Sequence, residues 1–204
     1  MLDIKRYTYD EYQKIARETS ATDDLAILAL GFIGECVEFI DCVDQIYDPH
    51  NEIGLADTIN LVTKEAGDIL WYAARIMDVL NVPFRKWQSY GNIDNYNNSC
   101  AASFRKKFRI IRNASKATEH VKKTVGHGHK LNPALICHGI SNVIKDVVHI
   151  LKKIHGPGKP GLDAPGMAMA MHVNVEKLRK RYPNGFETEK SVNREGVRCP
   201  KEAK

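Results

Sequence analysis

Apolar side chains recur every three to four residues along most of this chain, and the breaks between such stretches are short and rich in Gly, Pro, Asn and Asp; this rhythm predicts helices and no strand. Between Tyr7 and Glu18 the residues Tyr9, Tyr12 and Ile15 keep helical spacing, and Thr19 and Ser20 end the segment. A second helix is expected from about Asp24 to Ile46, with Thr22 or Asp23 placed to accept a free backbone N–H of its first turn. Leu25, Leu28, Phe32, Ile33, Cys36, Val37, Phe39, Ile40 and Val43 cover most of its circumference, which marks a central helix rather than a surface one. The turn chemistry of Asp48, Pro49, His50 and Asn51 separates it from a third helix, about Leu55 to Leu80, which Asn81 to Pro83 stop.

Beyond Trp87 the character changes. Gly91 to Ser99 reads as a loop, followed by helices from about Ala101 to Thr124 and from about Pro133 to Ile154, where Pro133 suits a first turn. The β-branched cluster Val143, Ile144, Val147 and Val148 keeps helical spacing. Gly156 to Gly166 is a Pro/Gly linker, and a last helix from about Met167 to Arg181 ends at Tyr182-Pro183-Asn184-Gly185 before a polar tail. The expectation is an all-α fold of five or six helices in three parts. Residues 1–87 form the N-terminal part, 88–166 a basic helical insertion with its linker, and 167–204 the C-terminal helix and tail that complete the domain.

Charge alters this picture more than overall composition does. Residues 101 to 130 hold nine Lys and Arg against Glu119 alone, so this segment carries +8 of a formal net charge of +5 and the remainder is −3. Such asymmetry suggests a polyanion nearby, either nucleotide phosphates or nucleic acid. The five cysteines are scattered, with no CxxC pair, which argues for reduced thiols rather than a disulfide framework or a thiolate zinc site. No run of about 18 apolar residues and no secretory leader is present in the sequence, so a cytoplasmic protein without a membrane span is expected.

Two acidic pairs interrupt the most apolar helices. Glu35 and Glu38 sit at i and i+3 in LALGFIGECVEFI, and Glu65 and Asp68 do so in EAGDILWYAARIM, so each pair points one way. Antiparallel packing across the short connecting loop would bring four acids into a small volume. Repulsion and desolvation would then cost several kcal/mol, a conflict that a divalent cation resolves. Oxygen-only ligation selects a hard ion such as Mg²⁺ or Mn²⁺, which keeps room for water and substrate phosphates. Such an ion polarises a phosphoryl group and acidifies an attacking water, with Glu35 or Glu38 as the candidate base.

These motifs resemble the MazG-like family of all-α nucleoside triphosphate pyrophosphohydrolases, whose pattern is ExxE followed at a distance by ExxD. Here 26 residues separate Glu38 from Glu65. Ala29 to Glu38 is similar to the glycine-flanked first motif, and Glu65 to Tyr72 to the second. Asn174 to Phe186 and Ser191 to Arg194 resemble the end of many phage and bacterial members. The resemblance implies Mg²⁺-dependent cleavage of a (d)NTP to the monophosphate and pyrophosphate, with Glu35, Glu38, Glu65 and Asp68 holding the metal. It also implies that Asn174, Lys177, Arg181 and Tyr182 meet phosphate or sugar; the first three share one helical face. Trp71 either stacks a base or packs in the core. A homodimer or homotetramer is implied as well. The stretch from about Trp87 to Gly166 departs from the family, as does the position of Gly126-His-Gly-His-Lys-Leu131, an HGH-like loop that some relatives carry between the acidic motifs. The rival expectation is a nucleic-acid-binding or regulatory helical protein with a non-catalytic core of this kind.

Overall fold

The computed structural model describes residues 4–90, 100–156 and 165–183. The loop expected at Gly91 to Ser99, most of the Pro/Gly linker and the tail motifs beyond Pro183 lie outside the described residues. The described residues form six α-helices and no strand: α1 (Tyr9–Glu18), α2 (Leu25–Gln45), α3 (Leu55–Val79), α4 (Cys100–His127), α5 (Pro133–His155) and α6 (Pro165–Arg181). A 3-10 turn, Phe84–Gln88, follows α3.

Local chemistry accounts for most boundaries. Thr8 and Glu11 form a capping box at α1, in which the Glu11 N–H donates to the Thr8 hydroxyl (3.2 Å) and the Thr8 N–H to the Glu11 carboxylate (2.8 Å). The cap of α2 is Asp24, not Thr22 or Asp23. Its carboxylate accepts the N–H groups of Ala26 (2.8 Å) and Ile27 (3.3 Å). Asp23 is instead drawn to Arg75, and the Thr22 hydroxyl accepts the Asp24 N–H, so both expected caps are engaged elsewhere. Asn132 caps α5 with Pro133 in its first turn.

The core runs through α3, where Ala66, Ile69, Leu70, Ala73, Ala74 and Met77 are buried, and α1, α2, α5 and α6 all pack on it. Helices α4 and α5 pair with each other, and α4 lies on α2 while α5 touches α3 and α6. The helices of the 88–166 segment therefore share one hydrophobic core with those bearing the acidic pairs. Small residues let certain helices approach closely. A Cβ on Gly67 would lie 2.7 Å from the Ala170 carbonyl oxygen and 2.8 Å from the Asn174 Cβ, and one on Gly139 would lie 2.8 Å from the Asn113 carbonyl oxygen. These contacts set α6 against α3 and α5 against α4. By length and composition α5 could cross a membrane, yet 72% of its apolar window is buried inside the bundle. Cys36, Cys42 and Cys137 are buried free thiols.

Candidate metal and phosphate site

Glu35 and Glu38 leave α2 on the side that faces α3, and Glu65 leaves α3 toward them. One carboxylate oxygen from each of these three residues lies within 4.8 Å of the others. The expected convergence therefore occurs for Glu35, Glu38 and Glu65. Asp68, one turn along α3, stands beside this group and interacts with Glu35 through charge, but its carboxylate is engaged by α6: the Asn174 amide donates to it at 2.7 Å and the Lys177 ammonium pairs with it. Asp41, half-buried one turn beyond Glu38, is outside the converging group.

The electrostatics follow from that crowding. Burial raises the pKa of Glu35 to about 8, with further contributions from Asp68, Glu38 and Glu65, and Lys177 opposes them. Glu65 is buried but pairs with Lys64 at 3.0 Å. Burial by itself would lower the pKa of Lys64, but Glu65, Asp68 and Glu35 outweigh it and hold the ammonium charged. Two lysines thus offset part of the negative charge of four acids. The remainder is what a small divalent cation would neutralise, and a donor set made only of carboxylates suits a hard ion.

A cleft of about 250 Å³ opens from the carboxylates toward the α1–α2 connection. Glu35, Asp68, Lys177, Arg181 and Tyr182 line one part of it, and Thr19, Thr22, Leu28 and Trp71 the other. One end thus offers acids and cations, and the other a mixed apolar and hydroxyl wall. Trp71 meets Tyr72 edge to face (ring centroids 4.8 Å apart), and its indole N–H donates to the Thr19 hydroxyl at 2.9 Å. The ring therefore both packs and borders the cleft. Behind this wall, the buried guanidinium of Arg75 pairs with Asp23 and with Asp78, and Arg17 also pairs with Asp78. The α1–α2 connection is in this way tied to α3. A second hollow of about 360 Å³ lies near Asp10, Arg17, Asp78 and Arg85, but its charges face each other as Arg17–Asp78 and Arg85–Asp10 ion pairs, which leaves little for a ligand.

The α6 residues expected at phosphate or sugar divide by position. Lys177, Arg181 and Tyr182 line the cleft. Asn174 is fully buried; besides donating to Asp68, its amide oxygen accepts the Tyr12 hydroxyl at 3.0 Å, and that hydroxyl also lies 3.1 Å from the Gly67 carbonyl oxygen. Asn174 is thereby a positioning residue for Asp68. Reading the sequence missed Lys64, Tyr12 and Arg75. Lys64 could have been found from its place beside Glu65, whereas nothing local to Tyr12 or Arg75 announces partners on distant helices. His127 and His129 stand exposed with rings 6.5 Å apart, while Cys137 is buried, so they form no converging set. Asp146 is buried between α4 and α5, 3.3 Å from Arg109.

Comparison of the chain with protein-family models, curated proteins and solved structures gives no match in any of the three.

Proposed function

We propose that this protein is a divalent-cation-dependent nucleoside triphosphate pyrophosphohydrolase that converts a (d)NTP into the monophosphate and pyrophosphate. One observation carries the reading: three carboxylates from two neighbouring helices approach within 4.8 Å of one another, and one of them, Glu35, lines a cleft that also holds Asp68, Lys177 and Arg181. Acids alone would suit any cation site, and cations alone any anion site. Their adjacency suits a cation and a phosphate chain bound together. The resemblance of the two acidic motifs to the MazG-like pattern supports the same class.

On this reading Glu35, Glu38 and Glu65 hold Mg²⁺ or Mn²⁺, with Asp68 completing the set. When bound, the ion supplies Lewis-acid polarisation of the phosphoryl group under attack. The chain's own residues do the rest. Lys177 and Arg181 orient the phosphates and offset their charge, and Asn174 and Tyr12 keep Asp68 in place. Glu35 or Glu38 accepts the proton of the attacking water. Trp71 and the α1–α2 connection border the space left for the nucleoside. Ile27, Leu30 and Val37, each 46–64% exposed along α2, support the accompanying reading of a homodimer or homotetramer.

Product analysis over the canonical and several damaged NTPs, with Mg²⁺ or with chelator, tests the proposal. Monophosphate and pyrophosphate are expected with Mg²⁺ alone. Glu38→Gln and Asp68→Asn should remove turnover while helical content is retained. Release of inorganic phosphate and a diphosphate, or turnover undiminished in both variants, would overturn the assignment.

A further inference from the structure

The basic segment is not used by the carboxylate site, and its geometry on α4 is specific. At about 100° and 1.5 Å per residue, Arg105, Arg112, Lys116 and Lys123 fall within an arc of about 40° along roughly 27 Å of helix axis. Residues that bind α4 to the bundle lie elsewhere on its circumference. Lys107 reaches Asp44 and the Thr118 hydroxyl donates to the Ala29 carbonyl (3.3 Å), both on α2. Asn113 and Ala117 abut Gly139 of α5. The four cations therefore point away from both neighbours, and all four are exposed.

We propose that this outward stripe of α4 docks the phosphodiester backbone of a nucleic acid. A solvated helix face ordinarily mixes charge signs. This one sets Arg105, Arg112, Lys116 and Lys123 against Glu119 alone, which pairs with Lys123 (3.6 Å) and with the adjacent Lys122 (2.6 Å). Arg105, Arg112 and Lys116 have no acidic partner among the described residues. Phe108 borders the stripe and is 67% exposed. Exposed Lys152 and Lys153 at the end of α5 add two further cations, and Lys153 stands near Lys106 of α4. A straight line of like charges matches a polymer of uniform charge density.

Fluorescence anisotropy with a labelled single strand and a labelled duplex of equal length, in EDTA and from 50 to 200 mM NaCl, provides the test. Four phosphate contacts predict a log–log salt slope of about −2.8 for a single strand and about −3.6 for a duplex. The stronger arm identifies the form of nucleic acid. The triple variant Arg105→Gln/Arg112→Gln/Lys116→Gln should lose about tenfold or more in affinity and reduce the slope in magnitude by about 2 to 3. These positions are exposed, and a thermal melt equal to wild type confirms the fold. Absence of binding at 50 mM NaCl, binding undiminished in the triple variant, or capture of an acidic protein without any oligonucleotide binding would each overturn the proposal. Because chelator is present throughout, the outcome is independent of whether the carboxylate site turns over nucleotides.

Discussion

Gly67 offers a sharp perturbation because it lies inside the second acidic motif and against α6 at once. In Gly67→Ala the new methyl group would sit 2.7 Å from the Ala170 carbonyl oxygen and 2.8 Å from the Asn174 Cβ. A backbone oxygen cannot rotate aside as a flexible side chain can, so α6 must retreat or α3 must bend. Replacing a mid-helix glycine by alanine contributes about 1 kcal/mol in favour of the fold, whereas overpacking costs about 1–3 kcal/mol. Stretching the bonds that cross this contact, Asn174 to Asp68 and Tyr12 to Gly67, adds about 0.5–1.5 kcal/mol for each one lost. With one of these bonds lost the net expectation is a loss of about 0.5–3.5 kcal/mol, a fall in Tm of roughly 1–14 °C. Turnover should fall further than stability alone explains, since Asn174 and Lys177 move away from Asp68 together. Gly34 provides the counterpart, because nothing lies within 4 Å of a Cβ built there. Gly34→Ala should therefore gain up to about 1 kcal/mol from helix propensity. Thermal unfolding followed by circular dichroism, with kcat and KM for the best NTP, measures both. A Gly67→Ala protein as stable and as active as wild type would show that the α3–α6 contact does not hold Asp68.

Other expectations follow from named contacts. Tyr12→Phe removes the hydroxyl that meets Asn174 and Gly67 in a buried setting, and should cost about 1–3 kcal/mol in urea unfolding, with a larger effect on kcat than on KM. Glu35 gives a pH dependence of definite sign. Its pKa in the fold, about 8, exceeds the unfolded value of 4.5, so the folded state retains the proton over that range. Without divalent ions, stability from this group is full below pH 4.5 and falls as pH rises toward 8, by an order of a few kcal/mol. Glu35→Gln should flatten the decline, and so should saturating Mg²⁺ in the wild type; a decline unchanged in both would refute the crowding argument. Arg75→Met removes the buried partner of Asp78 and Asp23 and should lower stability by about 2–4 kcal/mol, less than a fully isolated pair would because Arg17 still pairs with Asp78. The same variant should raise KM, because the α1–α2 connection that borders the cleft is no longer tied to α3.

The sequence by itself determined the helical class, because side-chain periodicity and cap chemistry are local: α2, α3, α5 and α6 begin and end within two residues of where apolar spacing and turn residues put them. It also exposed the acidic pairs, since a carboxylate at i and i+3 in an apolar helix is conspicuous without a partner in view. The cap of α2 was misjudged within the right stretch, because Thr22, Asp23 and Asp24 are all able to cap, and Asp23 is drawn to Arg75 while the Thr22 hydroxyl accepts the Asp24 N–H. Tertiary structure alone decided which acids meet one another, that Asn174 faces Asp68 rather than the cleft, and that α4 turns its basic stripe outward. Those outcomes depend on how closely two helices approach. That distance is set at Gly67, Gly139 and similar contacts between residues far apart in the chain, and no local pattern encodes it.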